Sequence, residues 1–178
     1  VEQFTLEALL AEQHGLPPPE SVALGSLEQR VPLPAPVGTS FDELLQGRST
    51  CRNFDAHAPI ALTELASVLH RVFGAQAQEE LEPGAIMLKK NSPSGGGLHP
   101  IEAFVLAQRV EGLAPGLYHY HCLDHVLEPV AGLAPDELAA AAHELVAGQV
   151  WFANAPVMLL MAARFQRNFW KYRNHPKA

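Results

Sequence analysis

Four short stretches of this sequence carry side chains whose types and spacing suit chemistry. The first is Arg48-Ser49-Thr50-Cys51-Arg52-Asn53-Phe54. Two arginines four residues apart, with two hydroxyls between them, can converge on one phosphate. Guanidinium groups bring charge and paired donors, and hydroxyls bring short hydrogen bonds. The plain alternative is a polar helix-to-strand connection. The second is Asn91-Ser92-Pro93-Ser94-Gly95-Gly96-Gly97-Leu98-His99-Pro100. Successive glycines let a backbone approach a flat ring, and their free N–H groups can serve ring oxygens and nitrogens. Pro93 and Pro100 stiffen the loop at both ends, and it has neither the lysine-threonine tail nor the preceding strand of the common nucleotide loops. The third, Leu117 to His125, holds three histidines and a cysteine. Strand alternation puts His119 and His121 on one face and Cys122 on the other, so surface histidines of a hairpin are expected and no metal site. The fourth is Trp170-Lys171-Tyr172. A lysine beside a tyrosine can shuttle protons where its surroundings favour the neutral amine, although locally the stretch also reads as an amphipathic helix start.

The elements that must position these stretches follow from periodicity. Leu6, Leu9 and Leu10 have helical spacing, stopped by Gly15 and Pro17 to Pro19, and a proline-rich arm continues to Gly38. Residues 1–39 are therefore an N-terminal helix and linker, and 40–178 the compact domain. Ser40 with Glu43 reads as a capping box opening a short helix that Gly47 ends. A second helix follows Pro59, with Leu62, Leu65, Leu69, Val72 and Phe73 on one face and Gly74 as its stop. Residues 75–90 read as a loop. A buried strand spans 101–110, a hairpin pairs 117–122 with 126–130, Pro135 opens a helix, and a second central strand covers 157–161. From Asn168 a helix begins that the chain does not finish. The order is that of an α+β layered domain, with parallel and antiparallel pairing left open.

Composition narrows the partners. Across 178 residues the net charge is −7, which argues against nonspecific nucleic-acid binding. Nine of the twelve Lys and Arg residues fall into three groups: Arg48 and Arg52; Lys89 and Lys90; Arg164, Arg167, Lys171, Arg173 and Lys177. An acidic protein that gathers its cations this way meets specific anions there, or else simply solvates them. No apolar run reaches the roughly 20 residues that span a bilayer, so no membrane span is expected. Two cysteines and no basic leader suit a reducing cytoplasm.

Taken together the motifs resemble a family. Arg48-Ser49-Thr50-x-Arg52-x-Phe54 is similar to the phosphate anchor of nitroreductase domains. The stretch from Asn91 to Pro100 resembles the Pro-Ser-Ala-Gly-Ala loop of SagB-type dehydrogenases. Val110-Glu111-Gly112-Leu113-Ala114-Pro115-Gly116-Leu117-Tyr118 and Lys171-Tyr172 match further motifs of that branch. The resemblance implies a nitroreductase-like fold, with a central, mostly antiparallel sheet packed with helices. It implies an FMN-dependent oxidoreductase that oxidises azolines in a ribosomally made peptide to azoles, with oxygen restoring the flavin. FMN is expected over a dinucleotide, since the anchor is a short arginine-hydroxyl cluster with no dinucleotide fingerprint. Arg48, Ser49, Thr50 and Arg52 would take the phosphate. Pro93, Ser94, Gly95 and Gly96 would line the ring, and Lys171 and Tyr172 would be catalytic. A homodimer with shared flavin sites is implied, along with a precursor peptide and a cyclodehydratase as partners. The family continues beyond the equivalent of Ala178, so a fragment lacking its C-terminal part is also expected.

Two other readings share these features. An NAD(P)H-dependent nitro- or quinone reductase of the same superfamily would keep the phosphate anchor but accept small aromatic acceptors. A non-catalytic module would bind a peptide or a partner with its flavin site incomplete.

Overall fold

The computed structural model describes Ser21 and residues 30–172. The chain divides into two compact units, Val1–Cys51 and Arg52–Ala178. The expected N-terminal helix and most of the proline-rich arm lie outside the described residues, while 30–38 are exposed and irregular. In the first unit, α1 (Ser40–Gly47) is capped one residue earlier than its sequence suggests. Thr39 is the N-cap, and the Asp42 carboxylate accepts from its N–H at 2.7 Å and its hydroxyl at 2.6 Å. Those bonds, the hydroxyl's first, hold Asp42 below the ordinary carboxylate range. Gly47 belongs to the helix, and Arg48 is the C-cap.

The second unit is built on a four-stranded antiparallel sheet of order β5-β4-β3-β6. Its strands are β3 (Ile101–Ala107), β4 (Gly116–His121), β5 (Val126–Gly132) and β6 (Val157–Ala163). Central β3 is the most buried element because both of its faces are covered. Ala103, Val105 and Ala107 pack with Tyr120 against Leu65 and Leu69 of α2 (Leu62–Phe73). On the opposite face, Leu106 packs against Leu138 and Ala142 of α3 (Pro135–Leu145). Each fully buried leucine contributes roughly 1.5–3 kcal/mol by burial. The result is helix, sheet, helix, the α+β class expected, with the pairing now seen to be antiparallel throughout this sheet.

Strand limits differ from expectation for local reasons. β3 stops at Ala107, not 110, because the Gln108 and Arg109 N–H groups both donate to Pro156 O and turn off the ladder. Val110 then bridges Ile60 and Leu113. β5 extends to Gly132 with Pro129 inside it, tolerated because β5 is an edge strand. β6 continues two residues past Met161, and a one-turn helix, α4 (Val150–Ala153), precedes it.

The largest correction is the expected loop at 75–90, which is a hairpin of β1 (Ala75–Glu82) and β2 (Ala85–Lys90). Pro83 and Gly84 form its turn, with Gly84 at φ 81, matching the proline and positive-φ glycine of a type II turn. Its first strand carries Gln76, Gln78, Glu79, Glu80 and Glu82, poor strand formers without apolar alternation, and is exposed after Ala75. Upstream, Gly74 does stop α2. Its N–H donates to Leu69 O and His70 O, and a Cβ there would come within 2.6 Å of His70 O.

Candidate active site

The glycine-rich loop is held at three points. At its start, Asn91 Nδ2 donates to Arg71 O at 3.0 Å and Ser92 Oγ to Val72 O, tying it to the last turn of α2. Inside it, Gly95–Gly97 forms a single 3₁₀ turn with Gly96 at φ 62, and the His99 N–H donates to Ser94 Oγ at 2.9 Å. At its end, Pro100 O accepts from Arg164 N at 2.8 Å. Glycine is favoured at 96 because L side chains seldom adopt that backbone. The N–H groups of Gly95 and Gly96 make no hydrogen bond among the described residues.

The partner of this loop is α5 (Phe165–Lys171), which starts three residues before Asn168 and ends at Tyr172 (φ −115). The helix expected to run on unfinished from Asn168 is therefore short and terminated. Arg164, Arg167 and Lys171 stand at the spacing of one helical face. All three reach the loop and the start of β3. Arg164 Nη1 donates to Glu102 Oε1 at 2.8 Å, Arg167 Nε to Leu98 O at 2.8 Å and Lys171 Nζ to Gly96 O at 3.4 Å. Lys171 Nζ also lies 5.8 Å from the Tyr172 ring centroid. A Cβ on Gly96 would sit 2.5 Å from Tyr172 Oη and 2.8 Å from Lys171 Nζ.

A cleft of about 630 Å³ opens beside this junction. Gly96, Gly97, Arg167, Trp170 and Lys171 line it on one side, and Leu81, Ile86 and Met87 of the hairpin on the other. Trp170 is 69% exposed and presents an apolar surface there. His99, in the loop, is held below its usual value by burial and then by the Lys90 and Arg167 charges.

Of the residues singled out from sequence, Ser94, Gly95, Gly96, Lys171 and Tyr172 fall at this one junction, and Pro93 lies beside it on the loop. Arg48, Ser49 and Thr50 lie exposed in the first unit, after α1, and Arg52 is exposed at the start of the second. His119 is a correction. It is not a free surface histidine, since Nδ1 lies 2.8 Å from Glu128 Oε2 and Nε2 3.2 Å from Glu102 Oε2. Cross-strand register causes this, for His119 stands opposite both Phe104 and Glu128. His121 pairs with Asp124 at 3.1 Å, and Cys122 packs on the core beneath α2. Sequence reasoning grouped Arg164 and Arg167 as cations but missed them as loop ligands, though their spacing with Lys171 was the signal.

The sequence profile of the Nitroreductase family matches residues 45–178. The chain belongs to the nitroreductase family. Members of this family typically bind flavin and act as oxidoreductases. Among solved structures, this nitroreductase chain is similar to a protein of Anabaena variabilis provisionally assigned as a nitroreductase, at 26% identity and a TM-score of 0.54. That match covers 64% of this chain and 23% of the other. It also shares its fold, at 22% identity and a TM-score of 0.56, with the E. coli microcin synthetase McbBCD complex solved with truncated pro-MccB17 bound. There 99% of this chain and 61% of the other are covered, so the chain spans less than two thirds of either relative. No curated protein matches it.

Gly96→Ala tests the tightness of the junction. The added methyl meets only the ends of two flexible side chains, so they can move aside. A left-handed alanine costs roughly 1–2 kcal/mol, and thermal melting should fall accordingly. The expected signature is that modest loss together with displacement of Lys171 and Tyr172, visible as a changed crystal structure or lost turnover. Unchanged melting and turnover would mean that the loop does not hold this backbone.

Proposed function

We propose that this chain is the flavin-binding part of a SagB-type dehydrogenase, an FMN-dependent oxidoreductase that oxidises azolines in a ribosomally made peptide to azoles. The observation that carries the reading is the meeting of Lys171 Nζ and Tyr172 Oη at Gly96. It sets a candidate acid–base pair against a backbone shaped for a planar ring. The likeness to a complex holding a truncated pro-peptide supports a peptide substrate, as does an open cleft with apolar Trp170, Ile86 and Met87 beside the pair.

The residues present fit a flavin. Gly95 and Gly96 offer unused N–H donors to ring heteroatoms, and the space where a side chain on Gly95 would stand is open, which leaves room for close approach. When bound, FMN supplies the hydride acceptor. Arg48, Ser49, Thr50 and Arg52 would hold its phosphate, and Pro93, Ser94, Gly95 and Gly96, contributed by the second subunit of a homodimer, would line its ring. Lys171 accepts the carbon-bound proton as the hydrogen on the adjacent ring atom leaves with its electron pair, and the new double bond forms between those atoms. Tyr172 donates to or relays from the amine. Arg167 and Trp170 frame the pair with charge and apolar cover. The reading places the enzyme in the cytoplasm with a cyclodehydratase as its partner.

The test uses purified full-length protein. Its absorption spectrum is expected to show bound flavin, and an azoline-containing peptide is expected to lose two hydrogens per ring by mass spectrometry. A flavin-loaded protein that reduces quinones with NAD(P)H but leaves azolines untouched would replace this reading with that of a small-molecule reductase.

A further inference from the structure

We propose that Glu102 and His119 are positioning residues for Lys171, acting through Arg164. The inference rests on the reading above only in its last step, the use of Lys171 in turnover. Its physical basis is a line of side chains that crosses the sheet. Glu128 on β5 contacts His119 on β4, His119 contacts Glu102 on β3, and Glu102 holds Arg164, which follows β6. Arg164 is the N-cap of α5. Its N–H on Pro100 O and its guanidinium on Glu102 fix where that helix leaves the sheet. Arg167 and Lys171 repeat the contact at Leu98 O and Gly96 O. A helix anchored at its first residue and along one face delivers its last residue to a fixed place. Among the described residues Glu102 is the only carboxylate paired with Arg164, so the position of Lys171 depends on it.

His119 makes the arrangement sensitive to protonation. Both ring nitrogens face carboxylate oxygens, and only the protonated imidazole can donate to both. The charged groups facing it are Glu102 from β3 and Glu128 from β5, with Arg164 behind Glu102 and the Phe104 ring 5.2 Å away. The Glu128 bond, opposed by partial burial and helped by Glu102, raises His119 above its usual 6.5. Glu102 is pushed up by burial but held lower by Arg164 and then His119, so it remains an anion. The linkage is therefore fully present below the ordinary histidine value and is lost as pH rises through the raised one. Above it, the shorter Nδ1 bond to Glu128 persists while a lone pair on Nε2 faces Glu102 and pushes it from its place.

The experiment is hydrogen exchange of the α5 amides in the full-length, flavin-loaded protein. Glu102→Gln is expected to accelerate exchange at residues 167–172 by about three- to tenfold, the range for a charged hydrogen bond discounted for exposure. Arg164→Gln removes the same link from its solvent side and should do the same, which guards against a fold defect at Glu102. In the wild type, protection corrected for intrinsic rate should fall above pH 6.5. Glu128→Gln should bring that transition to lower pH, His119→Gln should abolish it, and His121→Gln should leave it in place. Unchanged α5 exchange in Glu102→Gln and Arg164→Gln, or a transition surviving in His119→Gln, overturns the proposal. Faster α5 exchange with undiminished peptide oxidation leaves the positioning intact and removes Lys171 from the chemistry instead.

Discussion

Replacing Lys171 with alanine is expected to keep FMN bound and to slow azole formation by about 100- to 10,000-fold, the usual worth of a general acid–base group. Hydride loss from one ring atom requires that the adjacent carbon give up its proton, so a base must stand across the substrate from the acceptor. Lys171 is the candidate because its amine sits at Gly96 O on the glycine turn, beside the Tyr172 hydroxyl and facing an open cleft. Lys171→Arg should fail to the same degree, since a guanidinium stays protonated at accessible pH. Tyr172→Phe should lose less, because the ring and its packing remain. The measurement is single-turnover conversion of an azoline peptide followed by mass, with flavin content checked by absorbance. Wild-type conversion by the alanine variant would make the pair a structural contact and remove the base from the mechanism.

The second large effect concerns retention of the cofactor. Changing Arg48 and Arg52 together to alanine should strip FMN from the protein while its circular dichroism stays the same. Hydrogen bonds to charged groups are worth about 1.5–3 kcal/mol each. Losing two would weaken affinity by about two to four orders of magnitude. Both arginines are exposed, and neither belongs to the core that α2, β3 and α3 build, so the fold should not suffer. The ratio of flavin to protein absorbance after gel filtration reads the result. A double variant that still carries one flavin per chain would show that the phosphate is held elsewhere.

What could be read in advance was what depends on neighbours in sequence. The apolar face of Leu65 and Leu69, the β3 run with Phe104, Val105 and Leu106, and the β4–β5 hairpin are local patterns, and each of these elements forms close to where periodicity placed it. The β1–β2 hairpin was missed because exposed glutamines and glutamates leave no alternation to detect, although Pro83-Gly84 marked its turn. In the candidate site, the loop and the Lys171-Tyr172 pair were recognisable as motifs. The contacts of Arg164, Arg167 and Glu102 were not, because residues 69 and 62 apart along the chain meet only through the antiparallel register of β3 with β6. His119 was misjudged for the same reason. Alternation gives the side of a strand on which a residue lies, but the carboxylates opposite it are set by pairing.

The pairing of β3 with β6 bears on the order in which the molecule assembles. β4 and β5 are joined by a tight turn, whereas β3 and β6 come together across the whole span from Gln108 to Pro156. Closing the longer loop costs about 2 kcal/mol more in chain entropy than closing the hairpin, and contacts of that separation form late in small domains. α5 follows β6 directly, so Arg164, Arg167 and Lys171 cannot meet the glycine turn until β6 has docked. A newly made chain thus carries the hairpin and central strand before it carries the lysine in place.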